Sequence, residues 1–442
     1  MFTNKQLRNL VIPLVLEQLL SVAIGMADTM MVASCGEAAV SGISLVDTIS
    51  VLLIGLFGAV ASGGAVTVAQ YIGKGDREKV ARASNQLFLA VSAMALVFMA
   101  VSLLGNRQIL SAIYGNIDGD VMRNARIYFY FNAVSFPFLG IYNSGAALFR
   151  AVGNSRVSMK ISLFSNLVNV AGNALLIYGL DMGVAGAALS TLVSRLLSAA
   201  VICFLLLYRG EVPVSRKIGL DRPILHKILY IGIPSGLESS IFQVGKILLS
   251  SLTASFGTAA ITANAVTGNV GNFQLIPAGA VGTAIVTVVG QCVGAGEYKQ
   301  AREYMFRLLR AAYLFVAIIG IGLIVFRTPI FGMYHLSQET ARLTGQLLCY
   351  HCICCMLVHP LAFALPNGLR AAGDVRFTMV VAIASMWICR IGLAYILARG
   401  MNLGIFGVYV AMTADWLVRG VCFVARVVTG KWEKYMGVLT KE

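Results

Sequence analysis

Pro13-Leu-Val-Leu-Glu17-Gln-Leu-Leu-Ser-Val-Ala-Ile-Gly-Met-Ala-Asp28-Thr-Met-Met-Val-Ala-Ser-Cys-Gly36 is apolar for more than twenty residues, long enough for one membrane span. It nevertheless carries two carboxylates. Eleven residues separate Glu17 from Asp28, about three helical turns, so both acids fall within about 20° of one face and about 16 Å apart along the axis. A carboxylate well inside a span costs about 2.5–3.5 kcal/mol on insertion scales and normally faces a bundle interior or a watery cavity. Asp28 is therefore expected to be a cation or proton site. Glu17 lies nearer the interface on the same face. The alternative for either is a buried acid paired with a neighbouring helix.

The rest of the chain has the same character. Of its 442 residues, 58% are hydrophobic and only 12% charged, where a soluble chain would carry about a quarter charged residues. Uncharged runs such as 51–68, 311–326 and 347–364 recur. Twelve spans are expected, near residues 9–33, 46–72, 84–105, 121–147, 158–180, 184–208, 228–254, 262–293, 307–327, 341–368, 377–398 and 404–427. The first apolar run is too long for the core of a cleavable signal. The chain reads as an all-α polytopic membrane protein.

A net charge of +15 would suggest nucleic acid in a soluble protein. Here position decides. Twenty-four of the thirty-four Lys and Arg flank one set of span ends, from Lys5 and Arg8 through Lys74–Arg82, Arg150–Lys160, Arg209–Lys227, Lys299–Arg310, Arg370 and Arg376 to Arg426–Lys441. Six lie on the other side. The positive-inside rule then puts both termini in the cytoplasm. The expected partners are membrane lipid and a small organic substrate; no nucleic-acid module is evident, and a monomer is expected. Arg195, Lys246, Arg390 and Arg419 fall inside spans, several of them at positions that read as interfacial. The cluster His351-Cys352-Ile-Cys354-Cys355, with Cys349 and His359, matches no usual zinc spacing. The cysteines read as small apolar filler. No metal site and no enzyme active site are expected.

An internal repeat organises the chain. An ungapped shift of 221 residues places Ile12, Pro13, Leu16 and Glu17 on Ile233, Pro234, Leu237 and Glu238, and Gln70, Gly73, Gly75 and Asp76 on Gln291, Gly294, Gly296 and Glu297. A shift of 220 then places Arg150, Gly153 and Arg156 on Arg370, Gly373 and Arg376. Six spans per half return the chain to its starting side. The halves should therefore be like-oriented lobes related by a pseudo-two-fold along the membrane normal, with substrate between them. The expected division is an N-lobe 1–208, a cytoplasmic linker 209–227 and a C-lobe 228–442. Gly73-Lys-Gly75-Asp and Gly294-Ala-Gly296-Glu read as helix C-caps and turns, since each ends a span. Pro360 and Pro366 suggest a bent tenth span.

At these residues the chain resembles the multidrug and toxic compound extrusion (MATE) family. The resemblance rests on Pro13…Glu17…Asp28-Thr29 followed by Gly36, and on Gln70-Tyr-Ile-Gly73…Gly75-Asp76. It continues with Arg150-Ala-Val-Gly153-Asn154, Gly183-Val-Ala-Gly186, Gly232-Ile-Pro234-Ser-Gly-Leu-Glu238 and Leu369-Arg370-Ala-Ala-Gly373-Asp374. It implies a V-shaped pair of six-helix lobes. It also implies secondary antiport: an amphiphilic, usually cationic compound leaves by alternating access as H⁺ or Na⁺ enters, with no cofactor beyond that ion. A flippase for lipid-linked precursors, in the same superfamily, is the alternative. The family's first-span acid maps onto Asp28. Where one branch has a second acid in span five, this chain has Asn169 and Asn173. Where another has acids in spans seven and ten, it has Glu238, with Lys246 deeper, and His359.

Ion coupling is accordingly expected at Asp28 and Glu17, and substrate contact at Asp28, Asn169, Asn173, Glu238, Gln243, Lys246 and Asn264. Lys246 falls on Gly25 in the repeat, one turn before Asp28. It is expected to face the cleft until cationic substrate displaces it. The competing reading is a structural ion pair with Glu238 or Asp415.

Overall fold

A computed structural model describes residues 1–115, 117–215, 219–334 and 336–435. Parts of the expected linker (216–218) and of the C-terminal tail (436–442) lie outside them. The described residues form two compact units, Thr3–Gly236 and Leu237–Glu442 with Met1–Phe2. The division falls within the helix that follows the 209–227 linker read from sequence.

The first unit holds α1 (Asn4–Ala33), α2 (Glu37–Lys74), α3 (Arg77–Leu104), a short α4 (Asn106–Tyr114), α5 (Gly119–Ala151), α6 (Ser155–Asn173) and α7 (Gly183–Arg209). A π-helical turn, Ala174–Gly179, extends α6. The next helix, α8 (Arg222–Ala254), begins in this unit and ends in the other. The second unit continues with α9 (Thr258–Gly294), α10 (Tyr298–Val325), a short α11 (Arg327–Gly332), α12 (Gln338–Phe363), α13 (Leu365–Ala371), α14 (Val375–Ser385), α15 (Leu393–Tyr395) and α16 (Gly404–Val428). π-Helical segments Met386–Gly392 and Ile396–Gly400 join α14 and α15 into one span.

Ten of these helices are long and apolar enough to cross a membrane. The other two spans, α5 and α8, are 33 residues each and carry more polar side chains. Together they give the twelve spans, six per half. The tenth span is interrupted near the prolines: α12 stops at Phe363 and α13 restarts at Leu365, with Pro366 in its first turn. A proline there lacks only an N–H that the first turn leaves unbonded anyway.

The turns follow the repeat. Gly75 and Gly296 both adopt φ 78, a left-handed conformation that closes a helix without a Cβ penalty. After Gly75, Asp76 accepts a hydrogen bond from Lys79 N at 2.9 Å and caps α3. Small residues set the helix spacing, as expected in membranes: a Cβ on Gly42 would lie 2.8 Å from Ala125 N, and one on Gly63 2.4 Å from Ile228 O. In the first unit Val46, Leu110, Ala125 and Phe129 form a buried cluster. In the second, Cys355 packs with Ala278, Val316 and Trp416, and Cys352 with Val266 and Leu348. These thiols fill core space as the sequence suggested.

Candidate functional site

A cavity with polar groups in its wall lies in each unit. That of the first unit is about 310 Å³ and is bounded by α1, α2, α5, α6 and α7. Asp28 forms part of its wall and accepts a hydrogen bond from Asn173 Nδ2. Asn173 is fully buried and is the last residue of α6 before the π-helical turn. Such wide turns often mark functional positions. Asn169, one turn earlier, lines the cavity; its side-chain amide donates to Thr191 Oγ1 at 3.3 Å, and its backbone carbonyl accepts from Ser190 Oγ at 2.7 Å.

Asp47, Tyr128 and Arg195 complete this wall. Asp47 is hydrogen-bonded to Tyr128 and lies within electrostatic reach of Asp28 and Arg195. Arg195 donates to Asn132 Oδ1 at 2.8 Å and Ser135 Oγ at 2.6 Å. Asp28, Asp47 and Arg195 thus share one wall otherwise rich in hydroxyl and amide oxygens. Such oxygens suit a proton or a hard cation.

The second unit's cavity is about 560 Å³. Phe242, Phe363, Tyr409 and Trp416 give it aromatic walls, and Lys246, Arg390, His351, His359 and Asn264 give it polar groups. Asn264 Oδ1 accepts from Tyr409 OH at 3.1 Å. Arg390 sits in the π-helical segment and donates to Asp415 Oδ2 at 3.4 Å. Arg419 Nε donates to Asp415 Oδ1 at 2.8 Å, and Ser385 Oγ donates to the same oxygen at 2.6 Å.

The expected site residues divide between the units. Asp28 and Asn169 line the first cavity, with Asn173 bonded to Asp28; Lys246 and Asn264 line the second. Glu17 and Glu238 are outside both linings. Glu17 accepts from Ser158 Oγ at 2.9 Å and faces Arg150 Nη1 at 4.0 Å. Glu238 is held by Arg370 at 2.7 Å. Gln243 is half-buried and lines neither cavity.

One expectation needs correction. The structural ion pair of Lys246 with Glu238 or Asp415 does not form, because arginines occupy both acids. Arg390 and Arg419 are 8% and 3% exposed and share Asp415, which is fully buried. Sequence reasoning missed Asp47, Tyr128 and Arg195 as one group, and missed the two histidines as cavity residues. For Asp47 a signal existed: α2 begins at Glu37, behind Gly36 at φ 98, so Asp47 stands nearly three turns inside the helix.

A family model described as MatE matches residues 13–175 and again 234–396. The two matches begin 221 residues apart, the offset of the internal repeat. The chain is 26% identical to the probable multidrug resistance protein NorM of Thermotoga maritima, over 99% of this chain and 95% of that protein. It is 25% identical to the uncharacterized transporter YisQ of Bacillus subtilis, over 94% and 92%. Among solved structures, an outward-facing multidrug resistance MATE family transporter of the MOP superfamily superposes with TM-score 0.89 at 17% identity, covering 99% of this chain and 97% of that one. A MOP superfamily transporter from Pyrococcus furiosus, described with a binding pocket of reverse polarity, superposes with TM-score 0.88 at 18% identity and the same coverage.

Proposed function

The chain belongs to the MatE family of membrane transporters, and from that premise we propose that it is a secondary antiporter exporting amphiphilic, cationic drugs and toxic compounds in exchange for H⁺ or Na⁺. It would work by alternating access as a monomer in the cell inner membrane, with both termini cytoplasmic and no cofactor besides the ion. The naming of relatives as multidrug resistance proteins supports the substrate class. The basic flanks on one set of span ends support the orientation.

The observation that carries this reading is Asp28, held by Asn173 at the wall of a polar cavity inside an apolar bundle. A carboxylate there needs a counter-cation, because the surrounding helices cannot solvate its charge. A proton, Na⁺ or a cationic substrate can each satisfy it, and none of them can share it fully with another. That competition is the chemical content of antiport: the incoming ion releases the outgoing cation. Asp47, near Asp28 and bonded to Tyr128, adds negative potential. Arg195, fixed by Asn132 and Ser135, limits it.

The test is cationic dye efflux from membrane vesicles, with Na⁺ and pH varied separately. Wild-type protein should respond to one gradient or both. Asp28→Asn should express normally and lose gradient-driven efflux. Full efflux by that variant would overturn the assignment.

A further inference from the structure

We propose that the cavity of the Leu237–Glu442 unit is an anion site that takes aromatic organic carboxylates. This goes beyond the antiport reading and does not rest on it. The charge balance carries the argument first. The residues lining this cavity include Lys246 and Arg390 but no Asp or Glu among the described residues. The carboxylate behind the wall, Asp415, is shared between Arg390 and Arg419. Among the described residues Lys246 has no acidic partner. Three cations therefore answer to one carboxylate, in a bundle where charges are normally paired.

Unused donors point the same way. Arg390 is 8% exposed, yet its Nε has no hydrogen-bond partner. His351 Nδ1, His359 Nδ1 and Trp416 Nε1 are likewise buried and unpartnered. When the Cys355 thiol donates to His351 Nε2, at 3.4 Å, the ring proton stands on Nδ1. Tyr409 already occupies the Asn264 carbonyl, which leaves that amide's N–H groups for a ligand. Buried polar groups normally find partners. Arg390 Nε and Trp416 Nε1 can only donate, His351 Nδ1 donates in that tautomer, and the chemistry that fills donors is an oxyanion.

The repeat gives an independent view. A shift of 221 carries Asp28 and Asp47 of the first cavity onto Leu249 and Gly268 of the second, and carries Gly25 onto Lys246. All six residues line their respective cavities. At three equivalent positions one cavity thus has two acids and a glycine where the other has no acid and a lysine. The scaffold is repeated and the polarity is inverted.

Rings select the rest of the ligand. His359 stacks on Phe363 with centroids 4.5 Å apart, and Trp416 meets His359 edge-on at 5.1 Å. The Arg390 guanidinium lies 5.1 Å from the Phe242 ring centroid. A 560 Å³ space with such walls falls in the range of small organic ligands and is large for a lone inorganic anion.

The test is fluorescence polarisation on full-length protein in neutral detergent, with protein-free micelles as the blank. Fluorescein, an aromatic dianion bearing a carboxylate, is compared with rhodamine 6G, a cation on the same ring scaffold. Fluorescein should bind saturably. Lys246→Met should weaken it by about tenfold or more, the scale of one charge-assisted contact. Lys246→Arg should retain it, and Lys246→Met should not weaken rhodamine 6G. Size-exclusion chromatography checks that the variants remain folded. No saturable fluorescein binding to wild-type protein, or an equal Kd in Lys246→Met, overturns the proposal. Because no gradient is present, that failure is distinct from failure of the antiport reading, which is judged by Asp28→Asn efflux alone.

Discussion

Arg370 grips Glu238 through a single nitrogen, Nη2, which lies 2.7 Å from both carboxylate oxygens. In the other half the equivalent arginine and glutamate, Arg150 and Glu17, also face each other, at 4.0 Å. The repeat offsets of 221 and 220 relate the two acids and the two arginines respectively. Each half has therefore kept one ion pair between its first span and the end of its fourth. Glu17 and Glu238 thus each face an arginine, whereas Asp28 is bonded to the Asn173 amide.

The two pairs should differ in strength. Glu238 and Arg370 are both 17% exposed and in close contact, whereas Glu17 and Arg150 stand farther apart. Removing one partner of a buried pair strands the other. Glu238→Ala should cost about 2 kcal/mol, below the fully buried range because water reaches the pair. Thermal unfolding in detergent should show a larger coupling in the Glu238→Ala/Arg370→Ala double-mutant cycle than in the Glu17→Ala/Arg150→Ala cycle. Equal couplings would mean that the shorter distance carries no extra energy.

The contact of α2 with the start of α8 makes a second prediction. A Cβ at Gly63 would meet Ile228 O at 2.4 Å, and one at Gly232 would meet the Val60 Cα at 2.9 Å. Backbone cannot swing aside as a side-chain tip can. Gly63→Ala should therefore destabilise by about 1–3 kcal/mol, the usual cost of overpacking. Gly58→Ala, where nothing lies within 4 Å, should be neutral or slightly stabilising because alanine favours the helix. A thermal shift assay on both variants reads the difference; equal shifts would refute the close crossing.

What the sequence made legible follows from what a chain can show without partners. Apolar runs reveal spans, and repeated Pro, Glu and paired Gly reveal the two halves, because these signals are local or sit at a constant offset. Asp28 was legible because a charge inside an apolar run is costly wherever it points. Asp47 was not, because it stands at the edge of the run 46–72 and reads as interfacial until the helix is seen to begin at Glu37. Arg390, Arg419 and Asp415 were visible as charges. Their sharing of one buried carboxylate depends on helices distant in sequence, and no spacing encodes it. His351 and His359, eight residues apart on α12, fit no usual zinc spacing. Their common feature is the cavity they both line.

Side assignment can be checked with two exposed carboxylates. Glu78 near the start of α3 and Asp120 near the start of α5 are 75% and 72% exposed. The helix α3 between them has 28 residues, about 42 Å, more than the hydrocarbon thickness of about 30 Å. In a background without native cysteines, Glu78→Cys should react with impermeant maleimide only from the cytoplasmic side and Asp120→Cys only from outside. Labelling of both from one side would contradict the topology.

The sharpest prediction concerns Asn173, whose amide donates to Asp28. Asn173→Asp keeps the shape and replaces the donor by a second acceptor. Two carboxylates in contact repel unless a proton or a metal cation lies between them. This variant should acquire a steeper cation dependence, with half-maximal Na⁺ for dye efflux falling several-fold, because an added anionic oxygen tightens a hard-cation site. Asn173→Ala removes the donor and adds nothing. It should lower efflux about tenfold, the scale of one lost hydrogen bond to a charge, and extra Na⁺ should not restore it. Efflux measured across a Na⁺ series at constant pH separates the two. If both variants follow the wild-type curve, Asn173 neither orients Asp28 nor borders the coupling ion.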